Sequence, residues 1–366
     1  MKKYLRFAGC FAVAALWAAL VVAAWLKPAD AISDTERRKL AQFPAISLNS
    51  VENGSFMTNF ETYTLDQFPL RDRFRQLKSL FHYYCLGQRD NNGIYIADGS
   101  AAKLEYPLNE SSVTNAVKHF NRIYETYLTD CGNIYFATVP DKGYYLAGER
   151  NYPAMDYEAL FARLEQELPW AEQIELWDTL DAGCYYRTDT HWRQEMLIPA
   201  AGRICEALGV SVPLESDYTV TEVDVPFYGV YYGQAALPMA PDTMYLLEND
   251  TLAGCTVWNH ETGETTPVYN PEKRSRRDLY DIFLSGAVPL LTIENPGGDP
   301  GRELIVFRDS FGSSMIPLLL GDYGKVTVVD TRYIHMDLLG EDISFAGKDV
   351  LFLYSTLILN SSAALK

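Results

Sequence analysis

The 366-residue sequence is short of histidine, cysteine and positive charge, and each shortage closes off a class of function. It holds five histidines (His82, His119, His191, His260, His335) and six scattered cysteines, with no C-x-x-C pair. Zinc ribbons and thioredoxin-type redox chemistry therefore find no support. Cys10 sits in the apolar N-terminal run, which leaves five, an odd number for a disulfide framework. A Cys131–Cys184 bridge stays open, but buried thiols are the expectation. Lys and Arg total 31 against 48 Asp and Glu, a net charge of −17. Nucleic-acid binding needs clustered cations to displace counterions, so it is excluded as a leading function. The one basic run, Lys273 to Arg277, is followed at once by Asp278 and reads as a solvated loop. So acidic a body is also repelled by anionic lipid headgroups.

What is present is core-forming material: 48% apolar and 13% aromatic residues, with 25 tyrosines. That suffices for one large domain or two modest ones. At the N-terminus, Lys2, Lys3 and Arg6 precede an uncharged run from Phe7 to Leu26. Twenty such residues can cross a hydrocarbon core as a helix. The positive flank keeps that end cytoplasmic and sends the bulk of the chain outward. The expectation is a single-pass anchor (or uncleaved signal) over residues 1–27. A cleaved signal with a site at Ala29-Asp30-Ala31 is the alternative, and it makes the protein secreted.

Residues 28–109 read as a stalk and helical region, with a helix-rich stretch from Phe56 to Leu86 broken at Pro69. Its aromatics (Phe56, Phe60, Tyr63, Phe68, Phe74, Phe81, Tyr84) are expected to pack. From about residue 110 helical periodicity alternates with apolar runs. Strands are expected at Asn133–Val139, Gln173–Trp177, Glu303–Phe307, Lys325–Val329 and Asp349–Tyr354. Helices are expected at Val113–Leu128, Tyr157–Leu168, Arg193–Leu208 and Ser313–Leu320. Such alternation implies βαβ units and a mostly parallel sheet flanked by helices, an α/β fold, with ligands at the strands' C-terminal ends. Residues 110–213 and 296–366 would form this domain. Residues 214–295, rich in Tyr, Val, Thr, Pro and Gly, read as an inserted β-rich subdomain.

Two motifs carry candidate chemistry. In Arg187-Thr-Asp-Thr-His-Trp192, Asp189 lies two residues before His191. A serine nucleophile needs a base near neutral pH and a carboxylate that fixes the imidazole tautomer. Asp189 can serve His191 only if the turn folds one side chain onto the other. A helix cap beside a surface histidine, or metal ligation with a second histidine, would fit the same residues. In Leu304-Ile-Val-Phe-Arg-Asp-Ser-Phe-Gly-Ser-Ser-Met315, a strand runs through a small-residue turn into a helix. That is how a nucleophile elbow exposes a hydroxyl, here Ser310, beside helix-terminal N–H groups. Gly312 lets a substrate approach the backbone. Ser313 and Ser314 compete as nucleophiles, Asp330 with His335 as an acid–base pair, and Asp309 or Ser310 as a simple cap.

Together the motifs resemble the SGNH-hydrolase-like (flavodoxin-like) proteins of bacterial polysaccharide O-acetylation, typified by the alginate acetylation proteins, and within them the DHHW type. The matching blocks are Glu36-Arg37-Arg38-Lys39-Leu40 with Phe43-Pro44, Asp66-Gln-Phe-Pro-Leu-Arg71, Val139-Pro-Asp-Lys142, Thr188-Asp-Thr-His-Trp192, Tyr280 to Gly286, and Phe307 to Tyr333. The resemblance implies Asp189 as orienting carboxylate, His191 as base and Ser310 as acyl-accepting nucleophile. It implies an acetyltransferase or acetylesterase without cofactor or metal. Its partners would be a surface polysaccharide and a membrane-bound O-acyltransferase. A non-catalytic polysaccharide-binding or scaffold component of an O-acetylation or export complex is the alternative. Lys142, Arg308, Trp192 and Gly312 are expected near substrate. Arg308 stands where simple esterases often carry glycine, and Thr190 replaces the first histidine of the DHHW pattern.

Overall fold

The computed structural model describes residues 2–275 and 278–366, so Arg276 and Arg277 of the basic run lie outside the described residues. By internal contacts the chain divides into two units, residues 1–92 with 232–238, and residues 93–231 with 239–366.

The first unit begins with α1 (Lys2–Leu26), whose uncharged run Phe7–Leu26 is long and apolar enough to cross a membrane and is nowhere buried. A small hairpin, β1 (Ile32–Ser33) and β2 (Arg38–Lys39), follows. The Arg38 guanidinium then grips the Asp66 carboxylate in two-pronged fashion, at 2.9 and 2.6 Å. Helix α2 (Leu48–Glu52) starts at a Ser47/Ser50 capping box. Helices α3 (Ser55–Asp66) and α4 (Arg71–Leu80) are separated at Pro69, as a residue without an N–H dictates. A π-helical turn, Phe81–Cys85, extends α4, and β3 (Asp90–Asn91) ends the unit's first segment. Phe43 packs edge-on against Phe56, Phe60 and Tyr63 at centroid distances of 6.4, 5.9 and 5.4 Å. Phe74 meets Phe68 edge-on at 5.5 Å, yet Phe74, Phe81 and Tyr84 remain 44, 52 and 72% exposed.

The second unit opens with the hairpin β4 (Ile94–Ala97) and β5 (Ser100–Lys103). Helix α5 (Glu110–Ile123) starts where Asn109 accepts the Ser112 N–H, and it buries Val113, Ala116, Val117 and Phe120 along one face. Strand β6 (Ile134–Val139), α6 (Lys142–Leu146), α7 (Tyr157–Glu167), β7 (Glu172–Glu175) and α8 (Ile198–Leu208) follow. Then come β8 (Thr219–Phe227), α9 (Val230–Ala235), β9 (Asp242–Glu248), α10 (Asp250–Gly254), β10 (Thr256–Asn259), β11 (Glu264–Thr266) and β12 (Leu290–Glu294). The chain closes with β13 (Asp299–Arg308), α11 (Gly312–Met315), β14 (Tyr323–Val329), α12 (Leu339–Asp342), β15 (Asp349–Ser355) and α13 (Thr356–Asn360).

Eight strands form the central sheet in the order β11-β10-β12-β14-β13-β15-β6-β7. The run β14-β13-β15-β6-β7 is parallel throughout, and β12, β10 and β11 add antiparallel pairings at one edge. The architecture is thus the mostly parallel α/β sheet expected from the alternating pattern. Period-two alternation sends Leu304, Val306, Leu351 and Leu353 to one face with α8, and Ile305, Phe307, Val350 and Phe352 to the other with α5 and α7. On the second face Phe352 stacks between Phe307 (4.7 Å) and Phe136 (5.9 Å). The 214–295 segment attaches differently from a free-standing insertion. Among the described residues β8 and β9 pair as a separate hairpin, while β10, β11 and β12 are bonded into the main sheet. Joining the sheet satisfies their backbone groups and covers what would otherwise be an open edge beside β14.

From β6 the chain moves outward to β7, and from β13 it moves to β14 on the other side. The strand order reverses between these excursions, and the C-terminal ends of strands at such a reversal are where open α/β sheets bind their ligands. The described cysteines are all free thiols, and burial pushes Cys131 and Cys255 up to about 11.

Candidate active site

The Asp189–His191 segment does fold back on itself. Tyr185 and Trp192 form an antiparallel bridge, and Tyr186 N–H donates to His191 O at 3.1 Å. The tight turn between them carries both side chains at its tip. His191 Nδ1 lies 2.6 Å from Asp189 Oδ1, which also accepts the His191 N–H at 3.1 Å. The carboxylate's other oxygen accepts the Val230 N–H at 2.7 Å. Asp189 is fully buried, and its contact with Nδ1 assigns the proton there and leaves Nε2 as acceptor.

The turn is itself clamped. Asp242 accepts N–H bonds from Arg187 (2.9 Å) and Thr188 (2.8 Å) and the Thr188 hydroxyl at 2.6 Å. Thr188 Oγ1 accepts the Gly229 N–H at 2.9 Å. Gly229 passes so close that an added Cβ would sit 2.3 Å from Asp189 Cβ, so only glycine fits. Thr190, the residue in place of the pattern's first histidine, accepts the Tyr231 hydroxyl at 3.0 Å. Sequence reasoning had not found Asp242, Gly229 or Tyr231. Gly229 within Phe-Tyr-Gly-Val-Tyr-Tyr-Gly was the available signal.

Ser310 arrives from the other side. Strand β13 ends at Arg308, and Asp309 staples the turn with Oδ1 on the Phe311 N–H (2.9 Å) and Oδ2 on the Ser355 N–H (2.8 Å) and hydroxyl (2.5 Å). Asp309 is therefore a turn staple, and Ser310 is the half-buried residue left facing outward. Ser310 Oγ lies 2.8 Å from His191 Nε2. Serine, imidazole and carboxylate thus stand in one hydrogen-bonded row, across 119 residues of chain. The Ser310 N–H is bonded to no backbone carbonyl or side chain among the described residues.

Tyr280 completes the wall. Its ring stacks on His191 at 3.9 Å and 8°, and its hydroxyl meets Ser314 Oγ at 2.7 Å. Trp192 Nε1 donates to the same Ser314 Oγ (2.9 Å) and to Phe311 O (3.1 Å). Ser313 and Ser314 are buried, so neither projects as a nucleophile.

Of the expected substrate contacts, the side chains are spent inside the protein. Trp192 and Arg308 are fully buried and Lys142 is 2% exposed. Their burial leaves little side-chain surface open to a substrate, and most of their polar atoms are bonded within the protein, Arg308 Nε being an exception among the described residues. Lys142 Nζ donates to Ala101 O (2.6 Å), Tyr186 O (2.6 Å) and Ser100 Oγ (3.3 Å). Burial lowers it to about 7, although Asp189, Asp242 and Asp141 favour its charge. Arg308 donates to Gly286 O at 2.9 Å and lies 3.5 Å from Asp330. A Cβ on Gly312 would come within 2.7 Å of Arg308 Cβ, so this glycine accommodates the arginine. Asp330 is held by Arg332, and His335 lies 3.4 Å from Asp337, so the competing Asp330–His335 pair does not form. Among the described residues no group of three His, Cys, Asp or Glu is placed to hold a metal.

Residues 175–329 match the model of the DHHW protein family. Among solved structures, a DHHW family protein from Eubacterium siraeum is similar at 23% identity, covering 75% of this chain and 94% of that one, with a TM-score of 0.62. Bacillus cereus PatB1 is similar at 16% identity over 73% of this chain and 96% of that one, TM-score 0.59. The same protein with a sulfonyl adduct gives a TM-score of 0.56. No curated protein sequence matches the chain. The family match spans Asp189, His191 and Ser310, and the fold is shared with a solved DHHW family protein. The resemblance read from the motifs is thus met by a family-model match over residues 175–329 and by a fold similar to that of a solved DHHW family protein.

Proposed function

We propose that the protein is an extracytoplasmic acyl-transfer enzyme acting on O-acetyl groups of a cell-surface polysaccharide. The observation that carries the reading is the unbroken row from Ser310 Oγ through His191 to Asp189. In the first step His191 Nε2 takes the Ser310 proton as Oγ bonds to the acetyl carbonyl carbon. The carbonyl's π electrons move to its oxygen, and the tetrahedral adduct's O⁻ can be met by the Ser310 N–H at the elbow. Collapse expels the donor's alkoxide, which takes the proton back from His191 and leaves an acetyl-serine. In the second step a sugar hydroxyl, or water, gives its proton to His191 and attacks that ester, regenerating Ser310. Asp189 stays ionised and holds the imidazolium formed in each step. Tyr280 keeps the ring from tilting, and Arg308, Lys142 and Trp192 act as positioning residues.

Location and partners belong to the same proposal. Helix α1 is read as a retained anchor, the polysaccharide as acceptor or substrate, and a membrane-bound O-acyltransferase as acetyl source. The test is turnover of an aryl acetate, paired with mass spectrometry after treatment with a sulfonyl fluoride, a reagent class suggested by the PatB1 adduct. Turnover and a single adduct on Ser310, both lost in Ser310→Ala, support the enzyme. Undiminished turnover in Ser310→Ala and His191→Ala sinks the triad assignment. A folded wild type with neither turnover nor adduct favours the scaffold reading.

A further inference from the structure

Charge is divided unevenly along the sequence. Residues 27–92 carry nine Lys or Arg against eight Asp or Glu, whereas residues 93–366 carry 19 against 40. The near-neutral segment escapes the repulsion from anionic headgroups that the acidic remainder meets. Within it, α4 and the π-helical turn run on as one helical rod over residues 71–85. Leu70, Phe74, Leu77 and Phe81 recur at spacings of four, three and four, and Tyr84 continues the series. That spacing sets them along one face. They are 67, 44, 63, 52 and 72% exposed, with Phe74 edge-on against Phe68 at 5.5 Å, so the described residues of their own unit leave the stripe largely open.

The rod's opposite side is fixed. Arg71 and Arg75 pair with Glu36, the Arg75 contact at 3.2 Å, and buried Ser79 accepts Asn91 Nδ2 at 2.7 Å. The stripe therefore cannot turn inward without breaking these bonds. Exposed Arg73 and Lys78 flank it. An apolar stripe of Leu, Phe and Tyr beside Arg and Lys is the composition of a helix that lies in a membrane interface.

A further contact ties this rod to α1. Gln67, the C-cap of α3, accepts the Asp30 N–H at 2.8 Å and donates to Asp30 O at 2.9 Å. Asp30 is four residues past Leu26, the end of the apolar helix, a reach of at most about 14 Å. If α1 spans the bilayer, the α3–α4 junction is held at its surface.

We infer that α4 with its π-helical extension is an interfacial membrane-binding helix, its stripe seated at the headgroup–acyl boundary of an anionic bilayer. The inference rests on reading α1 as a retained anchor. A second copy of the chain is the poorer occupant, because a parallel helix pair along this seam would set Arg73 and Lys78 against their own kind.

The experiment uses the full chain in phosphatidylcholine–phosphatidylglycerol vesicles with brominated acyl chains as quencher. In the parent protein, quenching of Trp17 and Trp25 reports insertion of α1. A variant with Trp17→Phe, Trp25→Phe and Leu77→Trp reports the stripe, against the same variant with Leu77 retained. The expected result is a blue-shifted, bromine-quenched indole at position 77, with quenching reduced when Phe74→Glu and Phe81→Glu are added. Quenched Trp17 and Trp25 with an unquenched indole at 77 would overturn the inference and leave the anchor standing. No quenching of Trp17 and Trp25 would remove the anchor and the inference with it. An indole at 77 that is shielded only at high protein-to-lipid ratio would assign the stripe to a second copy and overturn the inference as well.

Discussion

The two units spend their apolar residues in opposite ways. In the larger unit Phe136, Phe307 and Phe352 stack with no exposure at all. In the N-terminal unit Phe74, Leu77 and Phe81 stand in the open, and order comes instead from charge, with Arg38 on Asp66 and Arg71 and Arg75 on Glu36. A packed core gains stability from area removed from water, whereas ion pairs at a surface contribute little unless networked. The difference teaches that the larger unit's fold is self-sufficient in burial, while the N-terminal unit keeps apolar surface for a use outside itself.

The sharpest test of the larger unit is chemical. Ser310→Ala and His191→Ala should each lower aryl-acetate turnover by about 10³-fold or more, with unchanged melting in Ser310→Ala, whereas His191→Ala also loses the stack on Tyr280. Next comes Phe352→Ala, expected to destabilise by about 3–5 kcal/mol in denaturant titration. Its counterpart in the N-terminal unit, Leu77→Ala, should stay within about 0.5 kcal/mol, and equal losses at both positions would erase the contrast. Gly229→Ala should cost about 10²-fold in turnover, because its new methyl must displace Asp189 from His191.

The units should also part company in acid. Burial lowers His119 from 6.5 to about 4, its Nε2 facing Thr331 Oγ1. Between those values the unfolded chain binds a proton that the folded one refuses, so stability falls as pH drops through that window and levels off below it. His119→Gln should flatten that slope. In the N-terminal unit Arg38 lowers Asp66 directly, and for Glu36 burial raises while Arg71, Arg75 and Arg38 lower it further. Those carboxylates stabilise the fold above their unfolded values, 3.8 and 4.5, and their contribution is lost only below that range. Hydrogen exchange followed unit by unit from pH 7 downward would separate the two windows.

Strands β6, β13, β14 and β15 were legible because each is a short apolar run between turn residues, a pattern forced by burial on both faces. Asp189, His191 and Ser310 were legible as residue types in suggestive turns. What sequence could not supply was the third dimension of those turns. The Val230 N–H on Asp189 and the Asp242 clamp come from 41 and 54 residues away, beyond any local periodicity. The burial of Lys142 and Arg308 was out of reach for a related reason: the carbonyls that take their side chains, Tyr186 O and Gly286 O among them, are remote in sequence. The exposed stripe on α4 was misread in the reverse sense, because helical spacing shows that a face is apolar but not what covers it.

Arg308 has a consequence for anyone tempted to make this site more like a simple esterase. Restoring glycine there would not loosen the elbow for substrate, since the side chain lies behind the strand and points toward Gly286 and Asp330. It would open a void beneath Gly312 and strip a buried carboxylate of one of its two guanidinium neighbours. The arginine and the glycine four residues on are halves of one fitted joint, and a designer who wants to alter either must redraw both.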